Sequence, residues 1–180
     1  MVLGPPRVYL RPAFLDAATC RRVRAAMDGA ASEPAEILDE EISVDTEARR
    51  ALSVEVDADT LALVEQAIES ERELLSTFFA ETLAEREGAG FLRYGPGGFY
   101  GPHRDRGIVP SWPGAERRSI AVVIFLNDGF GGGVLRLFGD AGARDIVPRE
   151  GTLAAFPAAT LHEVASVIDG TRDTVVDWFY

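Results

Sequence analysis

The chain contains no lysine, one cysteine and two histidines in 180 residues. A lone cysteine cannot close an intrachain disulfide, so a stapled secreted scaffold is excluded and a reducing cytoplasm is the expected location. No run of apolar residues approaches the roughly 20 needed to span a bilayer, so no membrane partner is expected. Met1 to Leu15 carries scattered arginine and proline in place of the apolar core of a signal peptide. All 18 basic residues are arginine, against 29 acidic ones, for a formal charge of −11. A protein that neutralises phosphates needs a basic face, so no nucleic-acid partner is expected either. What is present in quantity is apolar surface: at 47% hydrophobic content the chain can bury a substantial core, and one domain over residues 1–180 is expected. Oligomeric state is not legible at this level.

Periodicity divides the chain near Gly90. Residues 1–89 read as a helical support segment with short strands. Val8 and Leu10 suggest a strand. Asp16 is a candidate N-cap, followed at helical spacing by Cys20, Val23 and Met27. The acidic stretch Glu33 to Glu47 has poor periodicity and reads as an exposed loop without direct function. Leu52, Val54 and Val56 alternate with polar residues as a half-buried strand does. Asp59 opens the longest expected helix. Its stripe of Leu61, Val64, Ile68, Leu75, Phe78, Phe79 and Leu83 runs towards Glu87, and Gly88 and Gly90 stop it. Such a stripe is core rather than cofactor contact.

Residues 90–180 read as strands: Phe91–Tyr94, His103–Asp105, Ser119–Asn127, Val134–Phe138, Arg144–Val147, Thr152–Phe156, His162–Val167 and Arg172–Tyr180. Turn signals separate them at Gly95–Gly98, Asp128–Gly133, Gly139–Gly142, Pro148–Gly151 and Asp169–Gly170. The expected class is α+β, mainly β: a jelly roll of about eight strands packed on N-terminal supporting helices. Gly131–Gly133 is a hairpin turn rather than a phosphate loop, since neither a helix nor a lysine follows. The irregular stretch Gly107–Glu116, with Pro110, Trp112 and Pro113, is either a lid over substrate or an inert loop. Cys20 is a core residue.

The two histidines carry the chemistry. Side chains two apart on a strand point the same way, so His103 and Asp105 can share a face while Arg104 and Arg106 point out. With His162 from a second strand, they form the ligand set of a non-haem Fe(II) site with open positions. The competing reading makes each histidine an ordinary packed residue. Arg172 opens a last strand apolar enough to be buried, and an arginine entering a core needs an anion. Its fork suits a carboxylate. That anion is either Asp169, Asp173 or Asp177, or the carboxylate of 2-oxoglutarate. In the second case Fe(II), Asp105, the diacid and Arg172 sum to zero charge. Tyr100 is divided between pocket wall and packing.

The ordered set Tyr94-Gly-Pro-Gly-Gly-Phe-Tyr-Gly-Pro-His-Arg-Asp105, Phe125-Leu-Asn127, Gly132-Gly-Val-Leu-Arg-Leu137, Pro148-Arg-Glu-Gly151, Phe156, Leu161-His-Glu-Val164 and Gly170-Thr-Arg172 through Trp178-Phe-Tyr180 resembles the Fe(II)/2-oxoglutarate-dependent dioxygenases of the prolyl 4-hydroxylase type. The resemblance covers about residues 90–180. It implies a double-stranded β-helix with His103, Asp105 and His162 as iron ligands and Arg172 on the distal carboxylate of 2-oxoglutarate. It also implies Tyr94 in the cosubstrate pocket and Arg118 towards substrate, with Tyr100 and Trp178 as further candidate substrate contacts. Two positions depart from it. Phe125 stands where relatives often carry a tyrosine, and Val176 where some carry a threonine, which suggests a drier pocket. Asp105 itself implies hydroxylation, because halogenating relatives have a small residue there.

The expected reaction is hydroxylation of a C–H bond with Fe(II), 2-oxoglutarate and O2 as cofactors, on a peptide side chain of prolyl type or on a small molecule. The rivals are a cupin-like metal enzyme that does not use 2-oxoglutarate and a non-catalytic β-rich binding module.

Overall fold

The computed structural model describes residues 5–38, 42–43, 45–107 and 114–180. Among them, two antiparallel sheets face each other. The larger runs, from edge to edge, through Tyr9–Arg11, Leu153–Pro157, Ile120–Phe125, Arg172–Phe179, Gly90–Tyr94, Leu52–Val54 and Ser32–Pro34. The smaller runs through Gly142–Ile146, Leu135–Gly139, His162–Val164, Phe99–His103 and Arg49–Arg50. This is the expected jelly roll. The N-terminal half extends both sheets as well as supplying helices.

Three helices cover the outer face of the larger sheet. Helix α1 (Ala17–Asp28) starts where the Asp16 carboxylate accepts the Thr19 N–H at 2.7 Å, and it buries Cys20, Val23 and Met27. The strand Ile120–Phe125 is buried throughout because both its faces are covered. Ile120, Val122 and Ile124 meet the helices; Ala121, Val123 and Phe125 face the smaller sheet. That double coverage is why the strand reads as a continuous apolar run. Among the described residues no helix is long and apolar enough to cross a membrane.

The long helix expected from Asp59 to Glu87 is two helices and an extended tail. Helix α2 (Ala58–Glu69) is capped by Asp57, whose carboxylate accepts from Thr60 N–H and hydroxyl, each at 2.8 Å. Helix α3 (Arg72–Phe79) follows a break at Ser70–Glu71. There Glu71 is buried and accepts from the Tyr9 hydroxyl and from Arg11. Distant partners thus absorb a carboxylate on the inward face. Ala80 ends α3 with φ of 57°, and the chain then runs beside the C-terminus. Ala84 and Glu87 donate to the carbonyls of Tyr180 and Trp178, both at 2.9 Å. This pairing, unavailable to local propensity, outcompetes continued helix.

Other boundaries also move. The acidic stretch expected to be a loop holds the strand Ser32–Pro34, paired with Leu52–Val54, and the short pair Ile37–Leu38 with Ile42–Ser43; residues 39–41 and 44 lie outside the described residues. The expected strand His103–Asp105 is Phe99–His103, so the ladder stops at the histidine. The expected strand His162–Val167 divides into His162–Val164 and Val167–Asp169, the latter pairing with Gly131–Gly132. Of the expected loop Gly107–Glu116, residues 108–113, including Trp112, lie outside the described residues. Ala115–Arg117 form a single 3-10 turn.

Candidate metal centre and cosubstrate pocket

The smaller sheet brings His103 and His162 opposite each other as register partners on adjacent strands. The Nδ1 of His103 contacts the Gly101 carbonyl and that of His162 the Thr160 carbonyl, each at 2.9 Å. With a proton on each Nδ1, both Nε2 lone pairs point to one place, an arrangement usual for metal-binding imidazoles. Asp105 joins them from beyond the strand. The N–H groups of Asp105 and Arg106 both donate to the Ala158 carbonyl at 3.0 Å, and Arg118 Nη1 donates to the Asp105 carbonyl at 3.1 Å. These bonds turn the chain and swing the carboxylate back between the imidazoles. Arg104 and Arg106 face out, as expected, and bond the Ala159 and Glu116 carbonyls.

His103 Nε2 lies 3.4 Å from Asp105 Oδ1, and His162 Nε2 lies 3.6 Å from Asp105 Oδ2. Both separations exceed a good hydrogen bond. Donor atoms each about 2.1 Å from one ion and sharing a face of its coordination sphere stand roughly 3 Å apart, close to what is seen. All three candidate ligand atoms lie within 4.8 Å of one another. Burial alone would raise the Asp105 carboxyl. The His162 and His103 imidazoles outweigh it, and hold the group well below the usual carboxylate range. Burial pushes His162 the other way, towards the neutral ring a metal requires. Two neutral imidazoles and one carboxylate fit Fe(II) with positions left open.

A cavity of about 270 Å³ opens from these three residues. Arg172, Thr174, Val176 and Trp178, alternate residues of the last strand, line one wall. Arg172 is only 1% exposed. Its Nε donates to the Gly133 carbonyl at 3.0 Å and its Nη1 to the Thr174 hydroxyl at 3.2 Å. Its guanidinium lies 4.9 Å from the Tyr94 ring centroid and 5.5 Å from that of Phe125. Tyr94 is its cross-strand partner. None of the three aspartates weighed as its counter-ion pairs with it. Asp173 is bound by Arg24 and Arg93, Asp177 by Arg86, and Asp169 is exposed. Among the described residues Arg172 has no carboxylate partner.

Tyr100 lines the cavity and stacks on His103 at 3.5 Å between ring centroids, so it is pocket wall. Burial pushes its hydroxyl up to about 12, so it stays protonated. Arg118 also lines the cavity, bonded to Glu87 and lying 3.9 Å from the Trp178 ring centroid. Among the described residues the buried Trp178 indole N–H makes no full hydrogen bond, though it lies close enough to Asp105 to help hold that carboxyl down. Sequence reasoning missed Thr174, a hydroxyl beside Arg172 that partly offsets those missing at positions 125 and 176. It also missed Glu36 and Ala35, which line the cavity from the stretch taken for an idle loop, and Arg49 just beyond it. Strand alternation from Arg172 could have found Thr174; no local signal marks the other three.

The family model of the 2OG-Fe(II) oxygenase superfamily matches residues 89–180. A PKHD-type hydroxylase of Picosynechococcus sp. is 34% identical over 90 residues, which is 49% of this chain and 39% of that protein. One from Thioalkalivibrio sulfidiphilus is 32% identical over 99 residues, 53% of this chain and 44% of that protein. The chain thus spans less than half the length of these curated relatives. In fold it is similar to a Pseudomonas putida prolyl-4-hydroxylase, with TM-score 0.72, 24% identity, and coverage of 97% of this chain and 92% of that one. A viral collagen prolyl hydroxylase from Paramecium Bursaria Chlorella virus-1, in complex with 2OG, has TM-score 0.70 and 19% identity, covering 99% of this chain and 98% of that one.

Proposed function

The chain belongs to the 2OG-Fe(II) oxygenase superfamily, and on that premise we propose that it is a hydroxylase using Fe(II), 2-oxoglutarate and O2. The substrate is a C–H bond of a peptide side chain, prolyl in type, or of a small molecule. Held by His103, Asp105 and His162, iron would supply the oxidising power with 2-oxoglutarate and O2, one oxygen atom of which would go to the substrate C–H bond and the other to succinate, with release of CO2.

This chain's residues do the rest. His103, Asp105 and His162 would hold the metal, with the Gly101 and Thr160 carbonyls fixing the ring orientations. Arg172 would grip the distal carboxylate of the diacid through a charge-assisted pair, with Thr174 beside it and Tyr94 and Phe125 as walls. Val123, Leu135 and Val176 give the cavity apolar walls, which would exclude water around the reacting carbon. The observation that carries the reading is Arg172 itself: a buried guanidinium with no counter-ion among the described residues, in the same cavity as three convergent metal donors.

The test is anaerobic titration of the metal-free protein with Fe(II) and then 2-oxoglutarate. A weak visible charge-transfer band is expected, followed by succinate formation once air is admitted and by its loss after chelation. No band together with no succinate overturns the reading.

A further inference from the structure

The cavity holds a second cation for which the described residues supply no counter-ion. Arg49 belongs to the two-residue strand Arg49–Arg50, where it pairs with Tyr100. Its guanidinium lies 4.6 Å from the Tyr100 ring centroid, and that ring stacks on His103. Nη1 donates to the Glu36 carbonyl at 2.6 Å. Nε is buried and has no acceptor among the described residues. Among the described residues no carboxylate pairs with it: Glu36 offers its backbone carbonyl, and its own exposed side chain makes no ion pair. The other arginines of the cavity are engaged elsewhere. Arg118 is held by Glu87 and the Asp105 carbonyl, and Arg172 would be neutralised by the cosubstrate.

We infer that Arg49 is a specificity-determining residue that binds a carboxylate of the substrate, so that the preferred substrates are acids. This rests on the proposed function and names the substrate class for that site. A half-buried guanidinium with an unsatisfied Nε–H calls for an acceptor, and a carboxylate satisfies both the hydrogen bond and the charge, whereas a neutral carbonyl satisfies only the first. Stacking over Tyr100 holds the cation in place before substrate arrives. The linked series Arg49, Tyr100, His103 sets this anchor one aromatic ring away from the candidate metal ligand. The carboxylate is either the terminus of a free acid or an acidic side chain within a peptide.

Binding to the wild-type protein loaded with Mn(II) and 2-oxoglutarate, measured by calorimetry, separates these sources. One arm compares N-acetyl-L-proline with N-acetyl-L-prolinamide. The other compares an end-blocked peptide carrying glutamate beside proline with its glutamine counterpart. In at least one arm the acid should bind about tenfold tighter or more. Arg49→Gln should reduce that preference to below about threefold, while Arg49→Lys, which keeps the charge without the fork, should retain part of it. No acid preference in either arm, or a preference that survives in Arg49→Gln, overturns the assignment. The Fe(II)–2-oxoglutarate band of the wild-type protein reports on the parent reading separately. A band without acid preference removes only the role of Arg49; a missing band removes the reading beneath it.

Discussion

The last strand, Arg172–Phe179, has two faces that treat buried charge in opposite ways. On the face turned to the helices, Asp173 and Asp177 are fully buried, and each is answered within the chain. Arg24 and Arg93 bond Asp173 at 2.9 and 2.7 Å, while Arg86 and the Gly88 and Trp178 N–H groups bond Asp177. On the face turned to the cavity, Arg172 is as deeply buried, and among the described residues it pairs with no carboxylate, meeting instead the Gly133 carbonyl, the Thr174 hydroxyl and the Tyr94 and Phe125 side chains. Burial of an ion is costly on either face. Where the chain supplies the counter-charge, the ion serves the fold. Where it does not, the deficit is carried in the folded state until a ligand removes it, and that is the physical signature of a binding site.

Removing charge from each face should therefore have opposite consequences, and the largest effect on stability belongs to the helix side. Asp173→Ala strands Arg24, leaves Arg93 with only the exposed Asp28 as partner, and also loses the inward bonds of a fully buried carboxylate. Breaking a buried pair from one side costs about 3–5 kcal/mol. The lower end is expected, because the Arg24 side chain is still 35% exposed and can reach water. Urea unfolding monitored by circular dichroism measures this. A loss under about 1 kcal/mol would mean that the network behaves like a surface pair, and the contrast between the faces would fail.

On the cavity side, Arg172→Leu should leave unfolding free energy within about 1 kcal/mol of wild type or raise it, because a buried cation without an ionic partner is replaced by an apolar group. The same change should weaken 2-oxoglutarate binding by about 2–5 kcal/mol, read from the charge-transfer titration, and excess 2-oxoglutarate should partly restore turnover. A variant that loses several kcal/mol of stability while binding 2-oxoglutarate normally would reverse the assignment of the two faces.

How much of this was legible beforehand follows from how local each interaction is. The cap at Asp16 with Cys20, Val23 and Met27 behind it depends on near neighbours in sequence, and it reads correctly. The continuous run Ile120–Phe125 and the trio His103, Asp105, His162 are also visible, the latter because no other histidine competes. What is hidden is non-local. The break before α3 rests on Glu71 meeting Tyr9 and Arg11, more than fifty residues away in sequence. Asp105 leaves the strand because the Ala158 carbonyl takes its N–H and that of Arg106. Arg49 reaches the cavity only through its pairing with Tyr100. Alternation on the last strand was readable, yet the two aspartates on its hidden face still looked like candidates for Arg172 until their own arginines were placed.

The smallest effect tests whether the cavity-side charge depends on its backbone support. Gly133 has φ of +62°, and a Cβ there would lie 2.9 Å from Arg172 Cδ and 2.8 Å from Phe130 Cε2. Its carbonyl accepts from Arg172 Nε. Gly133→Ala combines a left-handed backbone cost of about 1–2 kcal/mol with a methyl group pressed against the arginine stem. Both act on the cavity face and leave the Asp173 and Asp177 networks untouched. The KM for 2-oxoglutarate should rise several-fold with a smaller change in kcat, since the displaced guanidinium binds the diacid less well without altering the metal donors. Gly142→Ala, at a φ of 114° that strains an alanine backbone at least as much but with open space around its Cβ, should also lose stability, with KM unchanged. If both variants shift KM equally, the effect is general loosening of the sheet, and Gly133 plays no special part in aiming Arg172.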